Sequence, residues 1–151
     1  MGYERNLKLI EKLHRVDLDD LQNLSMLYDM ALAVADDDIV TAKYEMKIVK
    51  NRAALMTRKS KDFVELYWNA MLFLAQNRCL DEALIYLERY RLPEDRFYLP
   101  RRKQLLPCAE SLQDLEDGKI ELLGISEPPG VGKTTLAEFF LAWTVGRNPF
   151  L

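Results

Sequence analysis

Residues 124–143 read GISEPPGVGKTTLAEFFLAW, and the assignment of the fold turns on them. Gly132, Lys133 and Thr134 supply the end of the nucleotide-loop pattern G-x-x-x-x-G-K-[ST], while Glu127 stands where that pattern has its first glycine. The surroundings fit better than the bare pattern does. Upstream, KIELLGIS (119–126) carries Ile120, Leu122, Leu123 and Ile125 and reads as a short β-strand, the only convincing one in the chain. Downstream, a helix from Thr134 to about residue 145 buries Leu136, Phe140 and Trp143 and turns Glu138 outward. A turn between strand and helix is where such a grip belongs.

The chemistry follows from the residue types. Gly130 and Gly132 lack a Cβ, so backbone N–H groups can turn inward around phosphate oxygens. The helix beginning near Lys133 adds the positive end of its dipole. Lys133 is placed to reach β- and γ-phosphates, and the Thr134 hydroxyl to coordinate Mg²⁺. Thr135 caps the first turn or packs. Pro128 and Pro129 fix φ and stiffen the approach to the loop, and Glu127 must point away from a triphosphate.

Before this segment the chain reads as helix after helix. No glycine lies between Gly2 and Gly118, and the first proline is Pro93, which predicts a bundle of about five helices up to residue 92. Leu21, Leu24, Tyr28 and Ala31 recur at helical spacing behind Asp17, placed as an N-cap. After Asp36, Asp37 and Asp38, a stripe of Ala42, Met46, Val49, Ala53 and Met56 marks the next helix. Residues 62–76 are apolar nearly all round and are expected to be the most buried element. Residues 81–90 are amphipathic through Ala83, Leu87 and Tyr90. At Pro93 the composition changes: three prolines and a burst of arginines mark a boundary between a helical module, 1–92, and the start of a second domain, 93–151. A helix over CAESLQDLEDG then ends at Gly118.

The bulk numbers narrow the classes. The chain has 151 residues, 49% hydrophobic and 30% charged, a globular balance, and a net charge of -3 gives no global sign of a nucleic-acid binder. Cys79 and Cys108 lack a CxxC partner, and the sole histidine, His14, has no ligand neighbours, which argues against zinc. The N-terminus lacks the apolar core of a signal peptide and no run suits a membrane span, so a cytoplasmic location is expected. Residues 89–103 hold Arg89, Arg91, Arg96, Arg101, Arg102 and Lys103 against Glu94 and Asp95, interleaved with Tyr90, Phe97 and Tyr98. That patch suits a nucleotide pocket, a structural joint or a DNA contact.

The segment LQDLEDGKIELLGISEPPGVGKTTLAEFFLAWTVGRNP resembles the start of the ATPase domain in large terminase subunits of tailed phages, whose loop has the form S-x-P-P-x-x-G-K-[ST]. Here that is Ser126, Pro128, Pro129, Gly132, Lys133 and Thr134, and the missing first glycine is expected in that family. RFYLPRRKQL upstream is similar to the segment that leads into such domains. The fold implied is mainly α: a helical bundle followed by the first strand, P-loop and helix of an α/β P-loop NTPase domain. The resemblance implies an ATP site with Mg²⁺, made by Ser126, Pro129, Gly130, Val131, Gly132, Lys133, Thr134 and Thr135, with Thr134 as the metal ligand. Gln104, with Arg101 or Arg102 and Tyr98 nearby, corresponds to the adenine-contacting segment, or is a solvated basic helix start. The implied activity is ATP-driven packaging of double-stranded DNA into procapsids in a bacterial host's cytoplasm. The implied partners are the small terminase subunit, the portal and a ring of identical copies.

After Lys133 the only carboxylate is Glu138, one turn along the same helix, so no catalytic residue is assigned. The chain is expected to be the front piece of a longer protein, binding nucleotide weakly and not turning it over. Two rivals stay open: a non-enzymatic helical adaptor with a vestigial loop, and the front of another P-loop NTPase.

Overall fold

A computed structural model describes residues 2–121, 123–124 and 132–147. Its described residues form seven α-helices and one short 3-10 helix: α1 Gly2–Leu13, α2 Leu21–Val34, α3 Ile39–Met56, α4 Lys61–Gln76, α5 Leu80–Leu87, the 3-10 turn Pro93–Asp95, α6 Tyr98–Glu116 and α7 Lys133–Arg147. The protein is mainly helical, as expected. The chain divides into two compact units, Met1–Leu74 and Ala75–Leu151, so the compositional break at Pro93 falls inside the second unit. Leading helix α5, grouped by composition with the N-terminal bundle, belongs to the second unit.

In the first unit, α2 packs against both α1 and α3. The cap of α2 is Asp20, whose carboxylate accepts from the Asn23 amide at 3.2 Å. Asp17 instead closes the preceding turn, accepting from the Asp19 amide at 2.9 Å, because the chain makes one further turn before the helix begins. The buried stripe of α2 is correspondingly Leu24, Leu27, Ala31 and Val34, with Tyr28 at its edge. Helix α3 starts at Asp38, which accepts from the Thr41 amide at 3.0 Å, the Thr41 hydroxyl at 2.6 Å and the Tyr3 hydroxyl at 2.7 Å. Those donors, Thr41 first, hold the Asp38 carboxyl below the usual carboxylate range. Ala42, Met46, Val49, Ala53 and Met56 are all buried, the stripe read from spacing. His14 Nε2 lies 2.8 Å from Oε2 of the buried Glu45, which gives the lone histidine a carboxylate neighbour. Among the described residues no three or more His, Cys, Asp or Glu side chains cluster so as to hold a metal ion, and no helix is long and apolar enough to cross a membrane.

The second unit is built on α5, α6 and α7. Its core joins Ala75, Leu80, Ala83, Leu84, Tyr98, Leu105, Cys108, Ala109, Leu112, Leu136 and Trp143. Helix α5 ends at Leu87, so its buried side is Leu80, Ala83 and Leu84, while Leu87 and Tyr90 are exposed. Helix α6 begins well before the expected CAESLQDLEDG segment and runs through Pro107. Pro100 sits in its first turn, where a missing N–H breaks no helical bond. Its end at Gly118 is as expected: φ is +75°, the Gly118 amide bonds to the Leu115 carbonyl at 3.2 Å and the Lys119 amide to Asp114 at 2.9 Å. That is the paired arrangement in which a left-handed glycine satisfies two orphan carbonyls.

The expected strand over 119–126 is not found among its described residues, 119–121 and 123–124, which form bends and irregular coil. The physical reason is the absence of a partner: a single strand leaves its amides and carbonyls unpaired, and no second strand occurs among the described residues. The α/β part of the expectation therefore rests on no observed sheet.

Candidate functional site

The site is built outward from the start of α7. Gly132 precedes the helix, and its carbonyl accepts the first helical bond, from the Leu136 amide at 2.9 Å. Its φ is +94°, a conformation that side chains rarely adopt. A Cβ there would lie 2.3 Å from Cε2 and 2.5 Å from Cζ of Phe97, so the backbone rests directly on that ring. Lys133, Thr134 and Thr135 form the first turn of α7; Lys133 and Thr134 are exposed and Thr135 is half-buried.

Phe97 is itself fixed. It is the residue before α6, and its amide donates to Glu88 Oε2 at 2.7 Å, while the Tyr98 amide donates to Glu88 Oε1 at 2.8 Å. Glu88 is 3% exposed, so a buried carboxylate caps α6, satisfying two amides and the positive end of the dipole together. Arg91 Nη1 lies 3.3 Å from the same carboxylate. Arg101 donates to the Phe97 carbonyl at 3.1 Å and stands over the Phe97 ring at 5.2 Å. The Phe97 ring also meets Phe139 of α7, centroids 5.9 Å apart.

Helix α7 is anchored along its length. Leu136 is fully buried and Trp143 nearly so, and the Trp143 Nε1 donates to the Ala75 carbonyl at 2.8 Å. Arg147 pairs with Glu116 and covers the Trp143 ring at 4.6 Å. Phe140, expected to be buried, is only partly so and packs against the core, while Glu138 is exposed as read from the spacing.

The remaining arginines of the basic patch are tied into the fold. Arg102 grips Asp81 through Nε at 3.0 Å and Nη2 at 2.8 Å, the two-pronged pairing that guanidinium geometry favours. The Tyr98 hydroxyl donates to the same Asp81 at 2.5 Å; Tyr98 is fully buried, and burial first, then Asp81, pushes its ionisation far up. Asp81 in turn raises the Arg102 pKa. Arg96 donates to the carbonyls of Arg91 and Arg89 at 3.1 and 3.2 Å. Arg89 stacks on the rings of Tyr86 and Tyr90, 3.8 and 4.3 Å from their centroids. Of the three readings of the patch, this geometry favours the structural joint for Arg89, Arg96 and Arg102.

Gly132 and Arg101 are thus brought to one ring, with Lys133 and Thr134 following directly. Gln104 is exposed one turn further along α6. Ser126, Pro129, Gly130 and Val131 lie outside the described residues. An ammonium group, a hydroxyl and the first-turn amides of α7 make a donor set that fits a polyphosphate carrying Mg²⁺. Glu88 and Asp81 are missed by sequence reasoning, because each reaches across to α6 from α5 and no short-range spacing signals it.

No protein-family model, no curated protein and no solved structure matches the chain.

Proposed function

We propose that this chain binds ATP at the start of α7, as the nucleotide-binding part of a terminase-like DNA-packaging ATPase. The observation that carries the reading is Gly132: a left-handed glycine, pressed on Phe97, that opens the helix whose first residues are Lys133 and Thr134. In that arrangement Lys133 neutralises the β- and γ-phosphates and the Thr134 hydroxyl holds Mg²⁺. Arg101, stacked beside Phe97, borders the base or ribose. Double-stranded DNA, a small terminase subunit, a portal and the cytoplasm of a bacterial host are the partners and setting this reading entails.

A second reading has its own support. The arginines that would serve a DNA or nucleotide surface are mostly engaged within the fold, which suits a helical adaptor whose loop is vestigial. Calorimetric titration separates the two. With Mg²⁺ present, ATP and ADP bind more tightly than AMP, and Lys133→Ala weakens ATP by roughly ten- to a hundredfold, the loss of one charge-assisted contact. Equal binding of all three nucleotides, or an unchanged affinity in Lys133→Ala, removes the loop from the function and leaves the adaptor.

A further inference from the structure

The first unit segregates its charge along neighbouring helices. Residues 17–38 carry aspartates and neither lysine nor arginine. Residues 43–61 carry lysines and arginines, and their one acid, Glu45, is buried. Each helix also shows a stripe on the side away from its buried face. On α2, Gln22, Met26, Asp29 and Ala33 recur at steps of four, three and four, and all are exposed. On α3, Val40, Tyr44, Lys47, Asn51 and Leu55 recur at four, three, four and four, and all are exposed, Val40 at 76%, Tyr44 at 64% and Leu55 at 77%.

Large apolar side chains held in water along a regular helical seam mark a contact surface. The two seams are complementary: an aspartate stands amid the small and apolar residues of one, a lysine amid the apolar residues of the other. Within one molecule they cannot meet, because α2 and α3 pack together through their opposite, buried faces. We infer that the α3 seam docks on the α2 seam of a second copy of this chain. Lys47 then faces Asp29, with Tyr44, one turn from Lys47, set against Met26 or Ala33, each one turn from Asp29. The aspartates that cap helices, Asp20 and Asp38, stay in their own molecule, and the Arg52–Asp19 pair at 3.6 Å borders the seam without crossing it. This inference is independent of the nucleotide site.

Sedimentation velocity of the full chain over a range of concentrations tests it, with circular dichroism confirming that each variant is folded. The wild type self-associates, less so as salt rises, because the central pair is screened. Lys47→Glu and Asp29→Lys each weaken association by on the order of tenfold or more, since like charges then face each other. An equimolar mixture of the two variants regains association, because each supplies what the other has reversed. Should either reversal unfold the chain, Lys47→Gln and Asp29→Asn weaken association in the same direction by a smaller factor. A wild type that stays monomeric at low salt gives the face to a different partner and overturns the inference; so do reversals without effect or a mixture that fails to recover.

Discussion

Gly132 shows how much one residue can decide. Two independent constraints meet there: a φ of +94° and a ring that leaves no room for a Cβ. Gly132→Ala is expected to cost about 1–3 kcal/mol, from left-handed strain together with crowding of Phe97. In a Phe97→Ala background the same substitution costs less, since only the backbone strain remains; a double-mutant cycle by chemical denaturation reads the difference. Full additivity of the two changes contradicts the contact.

Asp38 carries a second prediction at this scale. Its pKa is lowered from an ordinary 3.8 by the Thr41 and Tyr3 donors, so the ionised cap contributes stability above that value. The contribution is lost as pH falls below about 4, through the depressed folded-state value. Thermal unfolding followed from neutral pH to acid therefore shows a loss in the wild type that Asp38→Asn lacks. Parallel acid limbs in both proteins rule the cap out as its source.

At the scale of elements, the relation of α5 to α6 holds the site. Glu88 caps a helix that starts across a turn from it, and its two hydrogen bonds fix the position of Phe97. Glu88→Ala leaves two amides of a buried helix start without acceptors and is expected to cost about 2–4 kcal/mol. It also weakens nucleotide binding, because the ring beneath Gly132 is no longer held. Denaturation and nucleotide titration on the same variant check both, and a variant as stable as the wild type denies Glu88 its capping role.

These elements also show what was legible beforehand. The α3 stripe, the Gly118 stop and the Leu136–Trp143 side of α7 could be read because each depends on residues within a turn or two of one another. The start of α6 could not. Prolines and arginines signal a linker by composition, yet Pro100 falls in a first turn and Pro107 is accommodated inside the helix, while the side chains that secure its start come from α5. The strand is not found among the described residues for a related reason: Ile120 and Leu123 have the right composition, but a strand is a property of a pair, and Leu122 and Ile125 lie outside the described residues.

At the scale of the molecule, the chain resolves into two compact units, Met1–Leu74 and Ala75–Leu151. The first concentrates its charge contrast on α2 and α3; the second holds the start of α7 against α6. Of the proposed site, Gly132, Lys133, Thr134, Thr135, Arg101 and Gln104 were identifiable from sequence, and Arg101 is drawn to Gly132 by Phe97, an aromatic read only as part of a basic patch.

The central claim is that the first turn of α7 holds polyphosphate through its amides and one ammonium group. Backbone amide spectra recorded while Mg²⁺-ATP is added test it most directly. The expected result is saturable movement of the Gly132, Lys133, Thr134 and Thr135 signals, with little change along α1, α2 and α3, and in Lys133→Ala the same movement only at roughly ten- to a hundredfold higher ATP. Signals at 132–135 that stay in place while ATP is in excess, or that move identically in Lys133→Ala, would contradict it.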